Sequence, residues 1–362
     1  MYLALVPKHF FNFFLKKTVP VTNSSPKLLP ITLKGHDFHC KIVYMDNFRS
    51  IIEECLEKHP CNVEYRFNEP MVNHTTFKVG GPSDCWVKPL DEDSFDFTTS
   101  LINALKINQI PLFILGAGAN IVVSDRGIRG FVLDTGGWNG EVGKKKEERG
   151  IILEFYAGTK LDDAAEIAAS IGLSGIEFLA GMPGSLGGAL WMNARAYNRE
   201  MADVVIECEI FDLASPQIIR RKVKTTKTEF SYKHSPFQNF PCLILSISLE
   251  LQKHYETEIR SEMENYCKDR QAKGHYLFPS AGSAFKNNRD FGKPTGQIID
   301  ELGLKGYNIG GAQIAPFHGN IIINTDAATA QDIHSLIGFI QVKVKEKTGL
   351  KLEPEILFVG DW

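Results

Sequence analysis

The hydrophobic and polar positions of the chain fall into two alternating rhythms. Met45-Asp46-Asn47 opens a run with Phe48, Ile51, Ile52, Cys55 and Leu56 at helical spacing, which predicts an amphipathic helix. From Asn73 onward, short strand-like runs at 85–87, 111–115, 131–133 and 151–156 alternate with helical patterns at 91–108 and 161–171, the second Ala-rich and stopped by Gly172. Strands are expected again at 204–213 and 242–251. A charged helix over 255–273, nearly free of Gly and Pro, then opens a new domain. Farther on, Ile333, Leu336, Ile337, Ile340 and Val344 share one helical face, and Glu353-Pro354-Glu355 leads into a last strand, Ile356 to Val359. The charge run Lys144 to Arg149 reads as a solvated loop. The order implies an α+β fold without internal repeats, divided at 45–133, 134–252 and 253–350, with 351–362 returning to the first unit.

Composition narrows the function. The 362 residues are 43% hydrophobic and 23% charged, as in a soluble globular chain of two or three domains. With 40 Lys plus Arg against 43 Asp plus Glu, the net charge of −3 offers no general attraction to nucleic acid or to an anionic membrane. Seven cysteines, an odd number without a C-x-x-C pair, argue against a disulfide framework and a thiolate metal site and fit a cytoplasmic protein. No His/Asp/Glu spacing suggests a metal. Lys8 and His9 interrupt the apolar residues within Met1 to Lys17, leaving a stretch too short to span a bilayer, and Leu3-Ala4-Leu5-Val6 ahead of the charges has the reverse polarity to a secretory signal. Residues 1–44 are expected to be a disordered leader or a mis-assigned start, with Met45 as initiator.

Two glycine-rich segments carry chemistry. Gly116-Ala117-Gly118-Ala119-Asn120 follows an apolar strand, and small residues there let backbone N–H groups approach an anion closely. It lacks the third glycine and following helix of a Rossmann fingerprint, and the chain has no P-loop. Ala180-Gly181-Met182-Pro183-Gly184-Ser185-Leu186-Gly187-Gly188-Ala189 places four glycines within ten residues, an entropic cost that exposed, ligand-binding backbone would explain. Together the two loops suggest a diphosphate held by backbone amides, hence a dinucleotide cofactor.

With Asn73-His74-Thr75-Thr76-Phe77-Lys78-Val79-Gly80-Gly81-Pro82, Met192-Asn193-Ala194, Pro279 to Asn287, Leu304 to Gln313 and Leu352-Glu353-Pro354-Glu355, these loops form an ordered series over about 46–360. The series resembles the UDP-N-acetylenolpyruvoylglucosamine reductase family, in its shorter form without an extra loop over the substrate. The resemblance implies two FAD-binding subdomains of the vanillyl-alcohol-oxidase-like flavin fold and a C-terminal α+β domain for the UDP-sugar. It further implies a monomeric enzyme of peptidoglycan precursor synthesis with noncovalent FAD, reduced by NADPH. The reduced flavin passes hydride to C3 of UDP-N-acetylglucosamine enolpyruvate, giving UDP-N-acetylmuramate. The alternatives are another FAD-dependent oxidoreductase on the same scaffold, or a non-catalytic FAD or UDP-sugar binding module.

Carried over residue by residue, the resemblance makes Ser283 the general acid at C2 and places Glu355 at the substrate carboxylate, its neutral form expected to be favoured beside an apolar strand. Lys233, in Phe230-Ser231-Tyr232-Lys233-His234-Ser235, stands where the family has the arginine that polarises that carboxylate. It keeps the charge and loses the bidentate fork. Arg195 stands where the family commonly has glycine and offers another guanidinium. Gly116, Ala117, Gly118, Ala119, Asn120, Pro183, Gly184, Ser185, Gly187, Gly188 and Ala189 are the implied cofactor contacts. Arg270 and Lys273 match positions at the UDP diphosphate, and Tyr197, Lys286, Asn287, Lys305 and His318 positions around the sugar nucleotide.

Overall fold

The structure, a computed structural model, describes residues 36–147 and 150–362, with side chains from Asp46 onward. The leader expected over 1–44 lies outside the described residues as far as Gly35. Helix α1, His36–Lys58, begins well ahead of Met45, so the predicted opening is corrected toward the N-terminus. Its periodic face does what the spacing predicts: Phe48, Ile51, Ile52 and Cys55 are buried in a core with Cys85, Phe97, Leu101 and Phe131, and Phe48 meets Phe131 edge-on at 4.8 Å. Strands β1 (Val63–Pro70), β2 (Pro82–Pro89), β3 (Leu112–Leu115) and β5 (Ile128–Asp134) form a sheet in the order β1-β2-β5-β3, crossed by α2 (Phe95–Ile107). Strand β4 (Ile121–Val123) stands apart from this sheet.

The second sheet runs β12-β11-β13-β7-β6, from β6 (Glu141–Lys146) and β7 (Ile151–Tyr156) to β11 (Val205–Asp212), β12 (Ile219–Lys224) and β13 (Cys242–Lys253). The loop expected at 144–149 is therefore an edge strand over 144–146, paired with β7; residues 148 and 149 lie outside the described residues. Its lysines are exposed, and the opposite edge, β12, is equally basic, with Arg220, Arg221 and Lys222 paired to Glu209, Asp212 and Glu207 on β11. Charge on both edges discourages pairing with another chain, which explains why a strand can look like a solvated loop. Helices α3 (Leu161–Ser170) and α4 (Leu186–Trp191) pack on this sheet, and the short strands β8 (Leu173–Ser174), β9 (Arg195–Ala196) and β10 (Arg199–Glu200) lie between α3 and β11. Gly172, at φ 68, ends α3 as expected.

Helix α5 (Glu256–Ala272) leads to a third sheet ordered β14-β17-β16-β15, from β14 (Ser280–Ser283), β15 (Asn308–Ile309), β16 (Ala312–Ile314) and β17 (Ile321–Asn324), with α6 (Thr295–Glu301) between its first two strands. Helix α7 (Ala330–Thr348) buries the predicted stripe of Ile333, Leu336, Ile337, Ile340 and Val344 against this sheet. The last strand, β18 (Leu357–Val359), pairs in parallel with β4. The chain end is thus stitched to the loop Gly116–Asn120, which enters β4. This closure brings residues more than 200 positions apart into one site.

Candidate functional site

Two cavities meet between the three sheets. The first, about 370 Å³, is walled by Ala117, Ala119 and Asn120 of the first glycine loop, by Gly181 to Ser185, and by Gly188 and Ala189 of α4. Arg270, His275 and Phe278 line it from the side of α5. The second, about 910 Å³, is walled by Tyr197, Tyr232, Lys286, Asn287, Arg289 and Lys351, among others. Four residues line both: Arg195, Lys233, Ser283 and Glu355.

Each arrives at that border by a local device. Glu355 sits in an extended segment whose N–H donates to Ala284 O at 2.8 Å, while its own carbonyl accepts from Asn120 Nδ2 at 3.1 Å. The first glycine loop, the Ser283 strand and the Glu355 segment are thereby joined directly. Ser283 is the last residue of β14, and among the described residues no side-chain partner holds its hydroxyl, so the O–H is free to serve the cavities. Lys233 is the third residue of a tight turn closed by paired backbone bonds between Ser231 and His234, both 3.0 Å. It has φ 58, a left-handed conformation that costs a β-carbon-bearing residue about 1–2 kcal/mol. Surrounding bonds enforce it. Buried Asn193 donates to Ser231 O at 3.0 Å, and Gln238 Nε2 reaches both Trp191 O at 2.6 Å and Lys233 O at 3.2 Å.

Lys233 Nζ lies 2.7 Å from Glu355 Oε1, with side chains only 14% and 10% exposed. Glu355 is buried, as its place before the apolar strand suggests, and the ion pair adds a partner that the expectation of a neutral carboxyl did not include. The glutamate has a cationic partner 122 positions away in the chain, which no reading of its neighbours could reveal.

Of the residues matched to the cofactor, Ala117, Ala119, Asn120, Pro183, Gly184, Ser185, Gly188 and Ala189 line the first cavity; Gly116, Gly118 and Gly187 do not. Gly118 instead has φ 62, and a β-carbon there would fall 2.0 Å from His74 O, so only glycine fits the loop. Tyr197, Lys286 and Asn287 line the second cavity; Lys273, Lys305 and His318 line neither. Much of this set is already engaged. Lys286 is paired with Glu353, Lys305 with Asp300 at 2.8 Å, and Lys273 with Asp269 at 2.7 Å, while Asn287 Oδ1 accepts from Thr295 N at the start of α6. Tyr197 donates to Asp269 at 2.8 Å and stacks on Tyr266 at 4.0 Å.

Arg270 behaves differently. It is buried, its single hydrogen bond reaches Phe178 O at 3.3 Å, and its Nε has no partner. A buried guanidinium without a counter-ion, facing a cavity, is chemically incomplete and suits an anion. Around it stand His275, Lys273 and His318. Burial, followed by the Arg270 charge, pushes His275 down from 6.5 to about 4, and burial also lowers His318. This corner is therefore positive and its imidazoles neutral. His275 was missed in the sequence because it lies outside the motifs, although its place just after the charged helix was a usable signal.

Among the described residues no group of His, Cys, Asp and Glu is arranged to hold a metal, the six described cysteines are free thiols, and no helix is long and apolar enough to cross a membrane.

Comparison with known proteins gives a consistent pattern. Residues 96–220 match the FAD binding domain family, and residues 273–359 match the family "UDP-N-acetylenolpyruvoylglucosamine reductase, C-terminal domain". The chain is 38% identical over 305 residues to UDP-N-acetylenolpyruvoylglucosamine reductase of Treponema denticola, covering 82% of this chain and 94% of that one. The enzyme of the same name from Caldanaerobacter subterraneus is 41% identical over 299 residues, covering 81% and 93%. In three dimensions the chain is similar to the crystal structure of UDP-N-acetylenolpyruvylglucosamine reductase from Thermus caldophilus, with a TM-score of 0.63 at 30% identity over 82% of this chain and 98% of that one.

Proposed function

From the membership of this chain in the UDP-N-acetylenolpyruvoylglucosamine reductase family, to which it belongs, we propose that it reduces UDP-N-acetylglucosamine enolpyruvate to UDP-N-acetylmuramate, using FAD and NADPH. The observation that carries this reading is the border between the two cavities, where Ser283, Lys233 and Glu355 face a backbone-walled chamber on one side and a polar chamber on the other. The first chamber suits a flavin dinucleotide, since Gly118 permits a close backbone turn; Arg270, matched in the sequence to the UDP diphosphate, lines this chamber and not the second, and lacks an anion there. Bound there, FAD would take two electrons from NADPH and supply them as hydride to C3 of the enolpyruvyl group. The two loops contain no Cys, His or Tyr to attach the flavin ring, and the Ser185 hydroxyl caps α4 at Gly188 N, so the cofactor is noncovalent.

The residues of the chain then supply what the substrate needs. Negative charge builds at C2 and on the adjoining carboxylate, and Lys233, its charge balanced by Glu355, has N–H donors left over to hydrogen-bond that carboxylate in a mostly dry site. The unengaged Ser283 hydroxyl donates the proton to C2, completing the addition of one hydride and one proton across the double bond. Glu355 holds Lys233 in place and presents a second polar group to the carboxylate. Tyr197, Lys286 and Asn287 receive the sugar nucleotide; Lys273, Lys305 and His318, matched to the same ligand, stand outside both cavities, with the two lysines paired to Asp269 and Asp300 and His318 neutral. A cytosolic monomer acting without nucleic acid or membrane partners completes the proposal, with domain limits at 45–133 plus 351–362, 134–252 and 253–350.

Purified protein should be yellow, bleach anaerobically with NADPH, and recover its colour on addition of UDP-N-acetylglucosamine enolpyruvate. Bleaching without recovery would favour a flavin-binding module or another oxidoreductase.

A further inference from the structure

We propose that Arg195 is a second carboxylate-binding residue, supplying the positive charge that the Lys233–Glu355 pair does not have left over. The inference rests on the reading in the preceding subsection and extends it to a specificity-determining group.

The charges at the border do not balance without Arg195. Lys233 and Glu355 are 2.7 Å apart and neutralise each other. Ser283 is uncharged. An enolpyruvyl carboxylate entering there would meet a neutral cluster and lose its hydration, which is costly unless a further cation receives it. Arg195 is the fourth residue of that border and lines both cavities. Among the described residues its guanidinium has neither an ion-pair partner nor a hydrogen bond. The carboxylates close to it in the fold are occupied. Glu200, opposite it in the β9–β10 register, caps the short helical turn at Met201–Asp203, Asp203 is paired with Lys227, and Glu355 holds Lys233.

The backbone that carries Arg195 is fixed on both sides. Ala194 N–H donates to Ala189 O at 2.8 Å, anchoring the residue before it to α4. On the other side, the hairpin turns through Tyr197 and Asn198 at φ 51 and 61, and the Tyr197 ring is clamped on Tyr266. A guanidinium on a rigid hairpin offers two parallel N–H donors to a carboxylate, a geometry an ammonium cannot provide. Lysine at 233 and arginine at 195 together restore a fork and a net positive charge at the border.

The test compares two nucleotides that differ in the group concerned. UDP-N-acetylmuramate carries the carboxylate; UDP-N-acetylglucosamine does not. Their dissociation constants are measured by titration calorimetry on FAD-loaded wild type, Arg195→Ala and Arg195→Lys. Arg195→Ala should bind UDP-N-acetylmuramate about 10- to 100-fold more weakly, the scale of one lost charge-assisted contact. UDP-N-acetylglucosamine should change less than about 2-fold, with Arg195→Lys intermediate for the carboxylate ligand. Equal losses for both ligands, or none for either, would overturn the proposal. FAD content and melting temperature, measured alongside, identify a misfolded Arg195→Ala protein, and Arg195→Lys then decides alone, by whether it weakens the carboxylate ligand selectively. A wild type that binds neither nucleotide and does not turn over would instead defeat the functional reading, a separate result.

Discussion

The two cavities are walled by opposite means. The first is walled largely by small residues and exposed backbone, in loops that only glycine can follow at Gly118. The second is walled by long side chains, several already bound to neighbours, such as Lys286 to Glu353. Backbone recognition demands particular residues at particular φ values and tolerates little variation. Side-chain recognition is assembled from charges whose partners come from elsewhere in the fold, so a substitution such as lysine at 233 can be accommodated by what surrounds it.

The sharpest break in the comparison should come from the first wall. Gly118→Val would place a branched side chain at positive φ against His74 O, so the loop must move and the flavin should be lost. The flavin-to-protein absorbance ratio should fall to near zero while circular dichroism still reports a folded chain; retained stoichiometric flavin would remove this loop from the cofactor site. On the border, Lys233→Ala leaves Glu355 buried and unpaired, an expected loss of about 3 kcal/mol in stability together with substrate turnover. Adding Glu355→Gln should recover most of the stability and none of the turnover. If denaturation midpoints show the two changes to be additive, the pair is not coupled.

The smallest effect is electrostatic. His275, with a value of about 4 against 6.5 when unperturbed, stays neutral in the folded protein while the unfolded chain takes up a proton, so its contribution to stability is retained above pH 6.5 and lost as pH falls toward 4. In flavin-free protein, His275→Gln should flatten the fall in urea midpoint between those values. An unchanged slope would assign the acid sensitivity to other groups.

What the sequence disclosed follows the same division. The glycine loops and the periodic faces of α1 and α7 are local signals, and they were legible; Ser283 was reached only through the family resemblance. The Lys233–Glu355 pair was not, because its partners are joined only by the closure of β18 on β4 and the Ser231–His234 turn. The basic edge strand β6 was misread because charge on a sheet edge protects it from aggregation and mimics a solvated loop. The free guanidinium of Arg195 and the neutral His275 depend on which carboxylates are already taken, a property of the packed structure. Lys305 and Lys273 show the converse, since their motif positions were visible and their ion pairs were not.

The central claim is that the border residues act on the substrate and leave reduction of the flavin untouched. Stopped-flow absorbance of Ser283→Ala tests it most directly, by timing flavin bleaching with NADPH and, separately, recovery of colour with UDP-N-acetylglucosamine enolpyruvate. Bleaching should match wild type, and recovery should slow by at least about 10²-fold, the scale of a lost general acid. Equal slowing of both phases, or recovery at the wild-type rate, would contradict it.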